Sequence, residues 1–132
     1  MLSKPQTEPQ PLRILVVEDE ILIRTLIAEE LRDRGFTVMA ANSADAAKSV
    51  LDAGNEVDLV FSDVRLPGAM DGVELARHVK SRYPGLPVIL TSADIGPEVP
   101  KVSTHFVPKP YRISEVVELI SATLGRSNPR GK

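Results

Sequence analysis

The stretch Val57-Asp58-Leu59-Val60-Phe61-Ser62-Asp63 decides the fold, because it is an apolar run that ends on a carboxylate. At this length, rich in valine, leucine and phenylalanine, it reads as a buried strand rather than a helix. Three further runs are built the same way. Arg13-Ile14-Leu15-Val16-Val17 runs into Glu18-Asp19, Leu86-Pro87-Val88-Ile89-Leu90 into Thr91, and His105-Phe106-Val107-Pro108 into Lys109. Thr37-Val38-Met39-Ala40-Ala41 makes a fifth strand, which ends in Ala41-Asn42 without such a group.

Helical stripes fill the intervals. Ile23, Ile27 and Leu31, with Leu26 beside them, share one face of a first helix that Gly35 can cap. Asn42 or Ser43 can cap a second helix carrying Ala44, Ala47 and Leu51 and stopping near Gly54. Leu75, Ala76, Val79 and Tyr83 mark a third, ended by Pro84-Gly85, and Ile113, Val116, Val117, Ile120 and Leu124 mark the last. Between Thr91 and Lys109, Gly96, Pro97 and Pro100 leave room for a short helix or turn at most. Alternation of this kind predicts an α/β fold: a doubly wound, five-stranded parallel sheet in a three-layer sandwich, with a shortened or irregular fourth helix. The ligand site then lies at the carboxyl ends of the strands.

A single domain over 12–125 accounts for the pattern in a chain of 132 residues. Residues 1–11, with Pro5, Pro9 and Pro11, read as a disordered leader, and 126–132 as a polar tail. Formal net charge is −2, so nothing global draws nucleic acid or an anionic membrane. Cysteine is absent, which excludes disulfides and thiolate chemistry. Two histidines, His78 and His105, are too few for a histidine-built metal site. No signal-peptide core or membrane-length apolar stretch is present, so a cytoplasmic protein is expected.

Each strand-end residue alone has an ordinary structural reading, since polar residues begin loops and carboxylates cap helices. The joint pattern says more. Glu18, Asp19 and Asp63 brought within a few ångströms repel one another unless a cation is shared. Mg²⁺, with Mn²⁺ as a substitute, suits such an oxygen-only set. Asp63 could then attack a phosphoryl donor to give an acyl phosphate, with Lys109 neutralising charge and the Thr91 hydroxyl meeting a phosphoryl oxygen.

These residues resemble the receiver domain of two-component response regulators, a CheY-like family with a flavodoxin-like fold. The resemblance rests on Ile14–Glu20, Asp58–Gly68, Met70-Asp71-Gly72, Leu90-Thr91-Ser92 and Val107-Pro108-Lys109-Pro110, in that order. It implies that Asp63 is the phosphoacceptor and that the donor is a phosphohistidine on a histidine kinase or histidine phosphotransfer protein. It further implies that Asp19 ligates the metal directly and Glu18 through water, and that the backbone carbonyl of Val64 is the third protein ligand. Thr91 and Phe106 match switch residues, Lys109 the phosphate contact, and Lys109-Pro110 a peptide bond that is cis in the family. Arg65, two residues past the acceptor, is a candidate for tuning the phosphoryl lifetime. Monomer or phosphorylation-dependent dimer both suit the family, and the downstream protein target is unnamed.

Two departures stand out. The turn Pro67-Gly68-Ala69-Met70-Asp71-Gly72 is one residue longer than the family's commonest form, and Thr91 to Lys109 spans 18 residues, about one helical turn short. The second falls in the crossover that helps form the family's output and dimerisation face. Three rivals are weaker. A haloacid-dehalogenase-like phosphatase needs an acid where Arg65 stands. A nucleotide- or flavin-binding module would not have the acidic, glycine-free turn Glu18-Asp19-Glu20. A degenerate receiver that binds partners without phosphorylation need not retain every expected site residue, and all five are present. A DNA-binding regulator is not expected either, because the pattern leaves no residues for an effector domain. The sequence therefore reads as a stand-alone receiver that signals by altered protein contacts and is not an enzyme.

Overall fold

The computed structural model describes residues 10–125. The expected leader and tail fall almost wholly outside that span. Five strands, β1 (Arg13–Val17), β2 (Thr37–Ala41), β3 (Leu59–Asp63), β4 (Val88–Ser92) and β5 (His105–Pro108), alternate with five helices. These are α1 (Ile21–Asp33), α2 (Ala44–Asp52), α3 (Gly72–Arg82), α4 (Val99–Val102) and α5 (Ile113–Thr123). The sheet is parallel throughout, in the order β2-β1-β3-β4-β5.

Every residue of β3 and β4 is buried, which explains their unbroken apolar runs. Alternate residues serve opposite faces. Ile14, Val16, Leu59, Phe61 and Ile89 join Ile27, Leu31, Val116, Val117 and Ile120 of α1 and α5 in one core. Leu15, Val17, Val60, Val88 and Leu90 join Ala47, Leu51, Leu75, Ala76 and Val79 of α2 and α3 in the other. Phe106, opposite Leu90 in the ladder, packs half-buried on that second face.

Local chemistry sets the ends of the elements. Gly35 adopts φ 95°, and Phe36 N–H closes on the Leu31 carbonyl at 3.1 Å, ending α1. Ser43 rather than Asn42 caps α2, accepting from Ala46 N–H at 3.1 Å. Asp71 and Glu74 form a reciprocal capping box on α3. Leu26, expected beside the buried stripe of α1, is instead exposed. The fourth helix is a single turn, as the short spacing implied, with Pro100 inside it.

Candidate functional site

The strand order changes direction between β1 and β3, and the crevice outside such a reversal is where open α/β sheets bind ligands. The acids sit there. Glu18 and Asp19 leave β1, and Asp63 ends β3. Glu18 and Asp63 are fixed by main-chain pairing to neighbouring strands: Glu18 N–H donates to the Ala41 carbonyl at 3.0 Å, and Val64 N–H, next to Asp63, to the Thr91 carbonyl at 2.9 Å. Lys109 N–H donates to the Ser92 carbonyl at 3.0 Å, which holds the lysine's backbone at the far end of the same edge.

Carboxylate oxygens of Glu18, Asp19 and Asp63 all lie within 4.8 Å of one another. Glu18 is 3% and Asp63 4% exposed, while Asp19 faces solvent. Glu18 Oε2 also accepts from Glu20 N–H at 2.9 Å, and the Glu18 carbonyl accepts from Arg24 Nη1 at 2.8 Å. Burial, and then hydrogen bonding with Asp63, pushes the Glu18 carboxyl up to about 7. A carboxyl this reluctant to ionise beside two others marks a place short of positive charge. A hard, oxygen-seeking divalent cation supplies it, so the donor set fits Mg²⁺.

One positive charge is present already. Lys109 Nζ lies 2.8 Å from Asp63 Oδ1. Burial alone would lower this ammonium, but the hydrogen bond to Asp63 and the charges of Asp63, Glu18 and Glu20 hold it above the ordinary lysine value. Opposite Asp63 in the β3–β4 ladder stands Thr91, fully buried, whose hydroxyl has no hydrogen-bond partner. A buried orphan hydroxyl at the edge of an acidic site is a donor without its acceptor. The Lys109-Pro110 peptide bond is cis.

Two observations add to the sequence reading. The Val64 carbonyl accepts from Gly72 N–H at 2.8 Å, and the acidic pocket is bordered by Arg65 rather than Val64. The geometry therefore gives no support to Val64 as third metal ligand, because the turn directs that carbonyl at the start of α3. Tyr111 was missed altogether. It lines a neighbouring cleft with Glu18, Glu20 and Lys109, stacks edge-on against Phe61 at 6.1 Å, and keeps a buried, unpartnered hydroxyl. Burial and then the nearby Glu18, Asp63 and Glu20 charges raise that phenol. Its place after Lys109-Pro110 was the available signal.

The family model for the response regulator receiver domain matches residues 14–121. The chain belongs to that family. It is 32% identical over 116 residues to the DNA-binding transcriptional regulator NtrC of Salmonella typhimurium, covering 84% of this chain and 24% of that one. Against response regulator MprA of a Mycobacterium species the figures are 32% over 124 residues, 90% and 53%. This receiver thus spans between about a quarter and a half of those relatives' length. A CheY-like receiver from Methanospirillum hungatei superposes with a TM-score of 0.80 at 23% identity, covering 88% of this chain and 95% of that chain. TrrA of Thermotoga maritima, a response regulator solved with Mg²⁺ and BeF, does so at 0.75 and 30% identity, covering 84% and 97%. The receiver family is a phosphoacceptor signalling family, and its flavodoxin-like fold is the one described above. Among the described residues, no helix is long and apolar enough to cross a membrane.

Proposed function

We propose that this receiver takes a phosphoryl group onto Asp63 from the phosphohistidine of a histidine kinase or phosphotransfer protein, and signals by changed contacts with a protein partner. The observation that carries the reading is the Asp63 carboxylate held 2.8 Å from Lys109, with Glu18 and Asp19 beside it. An Asp63 oxygen attacks phosphorus as the phosphorus–nitrogen bond breaks, and the imidazole nitrogen leaves with the bonding pair. Lys109 stays on the oxygens to offset charge, and Thr91 gains an acceptor for its orphan hydroxyl. Glu18, Asp19 and Asp63 would hold Mg²⁺, which when bound neutralises the transferring oxygens. Arg65, which borders the pocket one residue beyond Val64, becomes the candidate for the remaining main-chain ligand.

Exposed large apolar side chains support a protein donor and a protein target. Among the described residues these are Ile21, Leu22, Leu26 and Ile95, and Ile21, Leu22 and Ile95 follow the strand ends that build the site. Phe106, half-buried on the sheet face that α4 covers only with one turn, is the aromatic placed to respond. Signalling by this receiver through protein contacts rather than nucleic acid is part of the proposal, and the −2 net charge, which draws no polyanion, supports it.

Incubation with Mg²⁺ and acetyl phosphate tests the acceptor. A Mg²⁺-dependent, hydroxylamine-sensitive gain of one phosphoryl group is expected, absent in Asp63→Asn. Equal labelling of both proteins would refute Asp63, and no labelling by acetyl phosphate or a cognate kinase would leave a partner-binding module that is never phosphorylated.

A further inference from the structure

We infer that Asp94 and a phosphoryl group on Asp63 compete for the side chain of Arg65, so that phosphorylation unlatches the segment 93–98 that stands where a longer fourth helix would begin. The inference rests on the phosphoacceptor reading above.

Arg65 sits on a divide. It borders the acidic pocket together with Asp63 and Lys109, and it also borders the adjoining cleft with Asp94, Gly96, Pro97 and Val99. Its present partner is Asp94, at 3.4 Å from Nη2 to Oδ2, with the two side chains 80% and 77% exposed. An ion pair this open is weak, because water and salt screen it. A phosphoryl group carries more charge than a carboxylate and offers oxygens that the planar guanidinium fork can engage in pairs. Once Asp63 is phosphorylated, the stronger anion lies on the pocket side of Arg65, and Asp94 loses the exchange.

The segment is built to respond at one end. At its far end Arg77 Nη2 holds Glu98 Oε1 at 2.8 Å, and Val99 is buried in the second core. At its near end the ties are the Arg65 pair and a 3.3 Å bond from Asp94 N–H to Ser92 Oγ. Between them, a side chain added at Gly96 would meet nothing within 4 Å, and the Gly96 carbonyl accepts from Val99 N–H at 3.2 Å, on the far-end side. Ile95, 57% exposed, rides on the near end. Release of Asp94 therefore repositions an apolar side chain beside the acceptor, without requiring the longer helix that this chain lacks.

Beryllofluoride with Mg²⁺, bound to the full chain, serves as the phosphoryl probe, and its affinity is compared in wild type, Asp94→Asn, Arg65→Ala and the double variant. Asp94→Asn should tighten binding about two- to fivefold, the range an exposed ion pair can contribute, and should change nothing in the Arg65→Ala background. Amide resonances of 94–96 should shift on beryllofluoride binding in wild type and stay put in Arg65→Ala. The same tightening in both backgrounds would reduce Asp94 to a repulsive charge and overturn the exchange, as would 94–96 resonances indifferent to Arg65. Failure of wild type to bind beryllofluoride at all would sink the phosphoacceptor reading and this inference with it.

Discussion

Lys109 Nζ reaches Asp63 Oδ1 at 2.8 Å although their strands are not neighbours, because β4 lies between β3 and β5. The lysine crosses the end of a whole strand to find the carboxylate. Under the proposed function, that span places the ammonium where charge would develop on a group attached to Asp63, ordered before the group arrives. Lys109→Ala should slow labelling by acetyl phosphate by about 10²-fold, the cost of losing one preorganised donor. Urea unfolding would show the variant still folded, since the side chain is partly exposed. A labelling rate within a factor of two or so of wild type would remove Lys109 from the transfer step.

Thr91 predicts a trade between stability and response. Its hydroxyl is buried without a partner, which costs free energy in the unphosphorylated protein. Thr91→Val keeps the shape and removes the orphan group, so it should stabilise the protein by about 1 kcal/mol in urea unfolding. The same change removes the donor that a phosphoryl oxygen would use. Chemical shifts around Ser92 and Ala93 on beryllofluoride binding should therefore shrink. A variant less stable than wild type would mean that the hydroxyl has a partner in solution.

The distribution of these residues shows what the sequence could and could not disclose. Asp63, Thr91 and Lys109 were legible because each terminates an apolar run, and parallel pairing forces run-ends onto one edge. The single turn of α4 was legible from Gly96, Pro97 and Pro100. Which main-chain carbonyl is left free beside the acidic pocket was not legible, because every residue of the turn after Asp63 carries a carbonyl. Only the bond from Gly72 N–H to the Val64 carbonyl shows which one is turned away. Arg65 with Asp94, and Tyr111 with Phe61, join segments far apart in the chain, and no periodicity encodes such pairs. Leu26 misled because it flanks the stripe of α1, and whether such a residue is buried depends on the width of α5's packing surface.

Gly72 should be irreplaceable for a reason the acceptor strand supplies. A Cβ there would stand 2.0 Å from the Asp63 carbonyl oxygen and 2.8 Å from Val64 Cα, both main-chain atoms that cannot swing aside. Gly72→Ala should cost at least about 3 kcal/mol in urea unfolding, the upper end for overpacking. Whatever folds should label more slowly, because the displaced backbone carries Asp63. An ordinary helix substitution from glycine to alanine would stabilise instead, so the sign of the change decides whether this contact exists.

Asp52 yields a dependence on pH that lies away from the acceptor. At the end of α2 its carboxylate accepts from the Tyr83 hydroxyl, from Lys48 Nζ at 2.9 Å and from His78 Nε2 at 3.0 Å. Tyr83 foremost, then Lys48 and His78, hold the Asp52 carboxyl well below its ordinary value of 3.8. A carboxyl depressed in the folded state contributes stability above its unfolded value, and loses it as pH falls toward the folded one. Wild type should therefore exceed Asp52→Asn in urea unfolding near neutral pH, and the gap should close progressively below the ordinary value of 3.8. Tyr83→Phe should remove the largest share of the same gap, because the phenol is the leading donor. A difference between wild type and Asp52→Asn that stays constant through the acid range would show that the α2–α3 cluster does not titrate as this geometry requires.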